Sequence, residues 1–233
     1  FSNKLRGTVE YFNKQSTNLI FPFPLQPSTG TTSIDKNIGK VRNYGLELDL
    51  SYTILNQNDF YWDVTANATF LKNKIVKLPE ENREEGMEVK GLKKYVEGGS
   101  IYDFYTNEWI GVDPEDGLAM YRIDEKLYPE QADPKSKYFA GVKKEGEAAT
   151  WTKDGRFAKK HFAGSAIPTV YGGFGTSFGW KGIDLAINFA YQLGGKTYDG
   201  AYQDLMGRKL NAGYAFHKDM LNAWKEKGQV TDV

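Results

Sequence analysis

The clearest pattern in the chain is an alternation of apolar and polar residues, and its period of two predicts β-strands. The alternation is unbroken over residues 44–54, 60–70 and 183–193, and weaker copies cover residues 7–11 and 174–180. The three clear strands run to about eleven residues, roughly twice the average strand of a globular protein. A tilted strand needs about 9–11 residues to cross a bilayer, so the pattern predicts strands of membrane-spanning length.

Short and long connections alternate along the chain. Residues 55–59 and 181–182 read as short turns, whereas the links 14–40 and 75–168 and the segment after Gly194 are long. In an antiparallel sheet this order places every short turn at one end and every long loop at the other. The asymmetry is typical of bacterial outer-membrane barrels, which have short periplasmic turns and long extracellular loops.

The apolar faces of the predicted strands carry aromatic rings towards both ends and aliphatic side chains between them. The predicted aromatic girdle consists of Tyr44, Tyr52, Trp62, Phe70, Trp180 and Tyr191. The predicted lipid-facing residues are Leu46, Leu48, Leu50, Val64, Leu185 and Ile187. Eight residues at about 3.3 Å each, tilted by about 40°, rise roughly 20 Å, close to the approximately 25 Å apolar band of such barrels.

These patterns predict an all-β fold: a transmembrane antiparallel β-barrel segment with long extracellular loops. Five strands cannot close a barrel, because bacterial single-chain barrels have even strand counts from about 8 upward. We therefore expect the chain to be part of a larger barrel. Alternating strands can also face water in a soluble protein, so the second hypothesis is a secreted soluble β-sandwich that binds carbohydrate. Solubility without detergent would distinguish the two.

The amino-acid composition argues against several other classes of protein. The 30 basic and 30 acidic residues give a formal net charge of zero, which argues against nucleic acid as a partner. The absence of Cys excludes a disulfide scaffold and a thiol nucleophile. No stretch approaches the roughly 20 apolar residues of a membrane-spanning helix. The chain begins Phe1-Ser2-Asn3 without a visible targeting signal, which favours either a cytosolic protein or a piece of a longer one.

Candidate chemistry is sparse, so we predict a protein that is not an enzyme and needs no cofactor. The two His residues, His161 and His217, have no partner at the spacing of metal ligands. The acidic run 113–117 lacks the later acidic residue of an EF-hand loop, which favours a turn and leaves a weak Ca²⁺ site as the alternative. The mixed charges over residues 80–94 are typical of a solvated loop.

Aromatic residues of the long loops are the candidates for contact with a partner or with other loops. They are Tyr102, Phe104, Tyr105, Trp109 and Trp224. Flat rings bury a large area at small rotamer cost, and they dominate protein interfaces. The last ring ends an apolar stripe over residues 216–224 that Gly228 follows, and its spacing predicts a short amphipathic loop helix.

Several runs of residues, in the same order along the chain, resemble the SusC/RagA family of TonB-dependent outer-membrane transporters. They are Pro24-Leu25-Gln26-Pro27-Ser28-Thr29-Gly30, Asn37-Ile38-Gly39-Lys40-Val41-Arg42-Asn43-Tyr44-Gly45-Leu46-Glu47-Leu48, Tyr102-Asp103-Phe104-Tyr105, Gly111-Val112-Asp113-Pro114-Glu115-Asp116-Gly117, Ala166-Ile167-Pro168-Thr169-Val170-Tyr171-Gly172-Gly173-Phe174 and His217-Lys218-Asp219-Met220-Leu221-Asn222-Ala223-Trp224. One departure is Ala166-Ile167-Pro168, where the family often has Gly-Asn/Asp-Pro. Residues 78–94 and 127–162 match no run of the family.

The resemblance implies a 22-stranded barrel in the outer membrane of a Gram-negative bacterium, with an N-terminal plug domain and a TonB box. All of residues 1–233 would then belong to the barrel domain, and the plug and the last strands would lie outside this chain. It also implies import driven through TonB, with a SusD-like lipoprotein over the mouth of the barrel. The commonest cargo that the resemblance implies is an oligosaccharide, with oligopeptide as the rival.

Overall fold

The computed structural model describes residues 4–24, 33–37, 39–89, 92–141, 149–208, 213 and 215–233, so residues 25–30 of the first SusC/RagA-like run lie outside the described part. The strands are β1 (Leu5–Thr17), β2 (Ile20–Pro24), β3 (Ser33–Asn37), β4 (Lys40–Gln57), β5 (Phe60–Lys77), β6 (Met87–Val89), β7 (Lys93–Tyr95), β8 (Asp103–Asn107), β9 (Trp109–Val112), β10 (Ala119–Arg122), β11 (Trp151–Thr152), β12 (Lys160–Ser165), β13 (Val170–Trp180) and β14 (Ile183–Leu193). The short helices are α1 (Pro129–Ala132) and α2 (Gly200–Gln203), with 3₁₀ turns at Glu80–Asn82 and Lys218–Asn222 and an irregular helical turn at Asp204–Arg208. The chain divides into a sheet unit, Phe1–Phe104 with Gly164–Lys196, and a loop unit, Tyr105–Ala163 with Thr197–Val233.

The sheet unit contains one five-stranded antiparallel sheet in the order β1-β4-β5-β13-β14. All five predicted strands are present, which confirms the all-β antiparallel fold class. Strands β4 and β5 have 18 residues each and extend beyond the predicted ranges at one or both ends, whereas β14 has the predicted bounds. The alternative of a soluble sandwich is wrong on this point, because the long strands lie in a single sheet rather than in two packed layers.

The hairpin between β4 and β5 turns at Asn58 and Asp59, so it is tighter than the predicted turn 55–59. Residues 55–57 pair with the start of β5, and the polar side chains of Asn56 and Gln57 made this part of the strand resemble a turn in sequence. The hairpin between β13 and β14 turns at Lys181 and Gly182, as predicted. Both of these residues have positive φ (50° and 85°), which is the conformation that a two-residue hairpin turn requires.

At the other end of the sheet, the connections of the sheet unit contain further strands rather than plain loops. The link after β1 forms the hairpin β2–β3, and the link after β5 contains the pair β6–β7. A small buried cluster of Val41, Ile75 and Leu78 lies here, and Leu19, Tyr95 and Ile101 pack against it. These apolar contacts hold the first residues of the long connections against the ends of β4 and β5.

The loop unit contains the small sheet β11-β10-β9 and several helical turns. The predicted amphipathic helix over residues 216–224 is wrong in type and length, because only the 3₁₀ turn Lys218–Asn222 forms. Ala223 ends it with extended backbone angles (φ −58°, ψ 153°). The extended residue turns Trp224 away from the predicted stripe, towards the loop contacts described below.

Candidate functional site

The face of the sheet that carries the predicted lipid-facing residues, here called the apolar face, exposes large side chains over its whole breadth. The most exposed of the predicted residues are Leu50, Tyr52, Trp62, Phe70, Trp180, Leu185 and Ile187, at 39–55%. Tyr44, Leu46, Leu48, Val64 and Tyr191 are half-buried among their neighbours in the sheet. Phe174 stacks on Phe189, with 4.9 Å between ring centroids, and adds a ring that the prediction did not assign to either girdle.

The two aromatic rows cross the sheet obliquely. Tyr44 pairs with Lys72, and the neighbouring ring on β5 is Phe70, two residues nearer the short turn. Tyr52 pairs with Val64, and its neighbouring ring on β5 is Trp62, again two residues nearer the short turn. The strands of a barrel are tilted and staggered in register. Residues at the same distance from the membrane midplane are therefore offset along the chain between neighbouring strands. The equal offset in both rows is consistent with two parallel girdles.

The opposite face of the sheet, here called the polar face, is organised around glycines of β13. The Tyr61 hydroxyl crosses from β5 over Gly179 and donates a hydrogen bond to Asp184 Oδ1 of β14 at 2.9 Å. A Cβ atom at Gly179 would lie 2.1 Å from the Tyr61 ring, so the crossing requires glycine at this position. Thr53 donates to Asp63 at 2.6 Å on the same face. The polar face is therefore a hydrogen-bonded surface without a predicted catalytic group.

The structure divides the aromatic loop candidates between the two units. In the sheet unit, Tyr102 and Phe104 share the Lys93 ammonium, which lies 5.7 and 5.0 Å from their ring centroids. In the loop unit, Tyr105 packs on Phe162 with ring centroids 5.0 Å apart. Tyr102 and Trp109 keep 42% and 48% of their surface exposed, so they remain available for contact with another molecule.

Trp224 closes on the turn that contains the acidic run, 110 residues earlier in the chain. Its ring covers Gly117, where a Cβ atom would lie 2.6 Å from the ring. Its Nε1 donates to the carbonyl of Pro114 at 3.0 Å, and the backbone N–H of Gly228 donates to the same carbonyl at 2.8 Å. We call these contacts the Trp224 latch, and they join two of the runs that carry the SusC/RagA resemblance.

The carboxylates of the acidic run bind a lysine in the structure. Lys153 Nζ lies 2.5 Å from Asp113 Oδ2 and 2.5 Å from Asp116 Oδ2, which places a cationic side chain where the alternative prediction placed Ca²⁺. The pKa of the Asp113 carboxyl is held below its ordinary value of 3.8, because Lys153 and the backbone N–H of Glu115 donate to it. Burial opposes the charge on Lys153, but the two carboxylates outweigh burial and raise the pKa of the ammonium above 10.5.

The pKa shifts predict how the acidic turn depends on pH. Because its pKa is lowered, Asp113 stabilises the turn fully above pH 3.8. This contribution is lost as the pH falls through the pKa of Asp113 in the folded protein. The raised pKa of Lys153 stabilises it below 10.5, and this contribution is lost as the pH rises through the folded-state value. We expect hydrogen-exchange protection of the Gly117 amide, corrected for intrinsic rates, to be flat between these limits. Asp113→Asn should lower the protection between these limits and abolish its loss at acid pH. An unchanged loss of protection at acid pH would contradict the role of Asp113.

Within the described ranges, no three His, Cys, Asp or Glu side chains converge closely enough to hold a metal ion. No described helix is long and apolar enough to cross a bilayer. The sequence interpretation did not single out Lys153 or Tyr61 as important. Lys153 lies in a region that matches no family run, and the only sequence signal for Tyr61 was the glycine-rich spacing of β13, which left room for a neighbouring side chain.

Comparison with known proteins identifies the family. The sequence model described as "TonB dependent receptor-like, beta-barrel" matches residues 1–227, so the chain belongs to this family. TonB-dependent receptor P3 of Formosa agariphila is 27% identical over 243 residues, which cover 100% of this chain and 22% of that protein. TonB-dependent receptor SusC of Bacteroides thetaiotaomicron is 22% identical over 212 residues, which cover 90% of this chain and 19% of that protein. The predicted resemblance to SusC/RagA transporters is confirmed.

A solved structure of the RagAB peptide transporter matches the fold with a TM-score of 0.73 and 25% sequence identity. The match covers 100% of this chain and 24% of that chain. The chain thus spans about a fifth to a quarter of the length of the proteins it resembles. The five-stranded sheet is part of a TonB-dependent receptor β-barrel.

Proposed function

We propose that the chain forms part of the wall of a TonB-dependent outer-membrane transporter that imports an oligosaccharide or an oligopeptide together with a SusD-like surface lipoprotein. In this proposal all 233 residues belong to the barrel domain of a longer polypeptide, whose complete barrel has 22 strands. Transport would draw on TonB, acting through a region outside this chain. The protein would be a transporter without catalytic residues and without a cofactor.

The observation that carries the proposal is the apolar face of the long antiparallel sheet. Its aliphatic residues, represented by Leu48 and Ile187, lie between two oblique aromatic rows and would contact lipid. In water such a broad exposed apolar surface would be unfavourable, whereas in a bilayer it is the expected outer surface of a barrel. The family membership and the RagAB likeness support the same assignment.

The loop aromatics support the proposed partner. Trp109 and Tyr102 are large, exposed rings in a chain region that would lie on the extracellular side. Rings of this kind are frequent anchors in protein interfaces, so we assign them to contact with the lipoprotein or with neighbouring loops. Trp224 would have an indirect role, since the latch fixes the shape of one loop.

Uptake in cells tests the proposal. We expect the full transporter to import a labelled oligosaccharide or oligopeptide, and we expect deletion of tonB to abolish this uptake. A pull-down of the detergent-solubilised protein should recover a surface lipoprotein, with bound substrate identified by mass spectrometry. Trp109→Ala should reduce lipoprotein recovery, with Tyr138→Ala as a matched exposed aromatic control. Uptake that persists at full rate without tonB would refute the proposed mechanism, and recovery without a lipoprotein would refute the proposed partner.

A further inference from the structure

A row of cations continues the apolar face beyond the aromatic row at the long-loop end. By the alternation of β4 and β5, Arg42, Lys72 and Lys74 share this face with Tyr44 and Phe70. Arg42 pairs directly with Lys74, and Tyr44 pairs with Lys72. Like charges directly opposite one another destabilise a sheet, so an anion bound beside this cross-strand pair would offset its repulsion.

No described carboxylate forms an ion pair with these cations. The Arg42 Nε donates to the neutral Asn13 Oδ1 at 2.7 Å, and the guanidinium lies 5.0 Å from the Tyr44 ring. Neither Lys72 nor Lys74 forms an ion pair with a described carboxylate, and both side chains are exposed. Among the described residues, these three positive charges thus have no ion-pair partner, on a surface that otherwise presents aromatic and aliphatic groups.

A groove lies beside these lysines, where the chain before β13 parts from β5. The last paired residues of the two strands are Tyr171 and Thr69. Beyond them, an open cavity of about 520 Å³ separates β5 from the segment that precedes β13. Lys72 and Lys74 line it together with the rings of Tyr44 and Phe70. Asp103 is the carboxylate in its lining, and its Oδ2 accepts a hydrogen bond from the backbone N–H of Ser100. The groove is thus lined by two lysines and two aromatic residues, together with the Asp103 carboxylate.

The height of the cations matches a particular layer of the bilayer. Lys72 and Lys74 lie two and four residues beyond Phe70, which corresponds to roughly 5–10 Å along the membrane normal for a tilted strand. The polar headgroup region adds roughly 5–7 Å to each side of the hydrocarbon core. If the aromatic row marks the edge of the core, as the proposed function requires, Lys72 lies within the headgroup layer and Lys74 lies just beyond its outer edge.

We propose that Arg42, Lys72 and Lys74 bind the phosphate groups of a phosphorylated lipid headgroup in the leaflet at the long-loop end, with the adjoining groove accommodating the rest of the headgroup. The proposal rests on the membrane placement in the proposed function. Lysine and arginine near a membrane surface are each attracted to anionic lipid. Loss of both lysines should therefore weaken lipid retention by roughly 30-fold, which corresponds to about 2 kcal/mol.

The test uses the full transporter in nanodiscs that contain bisphosphorylated lipid A, with retained lipid counted by native mass spectrometry after detergent extraction. The variant is Lys72→Gln/Lys74→Gln. The matched control is Lys14→Gln, because Lys14 is also exposed and pairs with Asn43, at the same height but on the polar face. We expect wild type and the control to retain lipid A, and the double variant to lose at least about 90% of it. Dephosphorylated lipid A should be retained by none of the three.

Equal retention by the double variant and wild type would overturn the proposal, and so would equal retention of lipid A with and without phosphate. Binding of inorganic phosphate without any retention of lipid A by the wild-type protein would also overturn it, since the site would then be a free-anion site. Gel mobility of the unheated protein verifies folding, and Arg42→Gln replaces the double variant if that variant does not insert. Uptake is measured in parallel. Phosphate-dependent retention without TonB-dependent uptake would refute only the proposed function, and normal uptake without retention would refute only the lipid site.

Discussion

Leu48→Arg should destabilise the folded barrel in lipid by about 2–4 kcal/mol, the cost of an arginine on the lipid face near the middle of the bilayer. Leu48 lies in the aliphatic part of β4, where it pairs with Val9 and Ala68 on the apolar face. An arginine here must bring its charge into hydrocarbon or thin the bilayer around it. Urea titration of the refolded transporter in vesicles, followed by gel mobility, measures the change in unfolding free energy.

The matched control for this prediction is Asp49→Arg, one residue along the same strand. Asp49 pairs with Thr8 and Asn67 on the polar face, so an arginine there should cost far less than at Leu48. The two variants have the same new side chain and differ only in the face of the sheet. Equal destabilisation by both would show that neither face contacts a bilayer, and the transporter assignment of this sheet would fail.

Trp224→Ala should open the turn around Asp113 and Gly117. The substitution removes the ring from Gly117 and the hydrogen bond to the Pro114 carbonyl. Truncation of a fully buried tryptophan to alanine lowers the free energy of unfolding by about 3–5 kcal/mol. For this half-buried ring we expect a loss of about 2–3 kcal/mol. If the turn opens locally, the Gly117 amide should then exchange roughly 30- to 150-fold faster with solvent, as measured by hydrogen exchange.

Trp224→Phe separates the two parts of this effect. Phenylalanine keeps an aromatic ring for Gly117 but cannot donate to Pro114, so it should cost only about 1 kcal/mol, the usual net value of one hydrogen bond. Exchange of the Gly117 amide should rise about fivefold in this variant. Wild-type exchange rates in Trp224→Ala would mean that the latch does not hold the turn.

Much of the fold could be predicted because strand formation and facing follow from local pattern. Alternation identified all five long strands of the sheet, and β14 has the predicted bounds. The prediction stopped short in β4, where Leu55 to Gln57 continue the ladder. Polar residues at the end of a barrel strand resemble a turn in sequence, because both faces of the strand meet water there. Pairing with β5 decides that they are strand.

The helical prediction failed for a related reason. Spacing alone placed the rings of Phe216 and Trp224 on one stripe, but a stripe predicts a helix only if its apolar side packs as a unit. In the structure, Trp224 packs on Gly117 instead, and the backbone becomes extended at Ala223 to allow it. A contact across 110 residues thus outweighed a local propensity.

The sequence by itself determined the class of the fold, the two faces of the sheet, the short turns at one end and the family. These features depend on interactions between residues close in the chain or on patterns that repeat along it. Only the tertiary structure decided that Lys153 lies between Asp113 and Asp116, that Tyr61 crosses Gly179, and that Arg42 lies opposite Lys74. Each of these contacts joins distant segments, and its geometry depends on register and loop path, which a pattern of side chains does not encode.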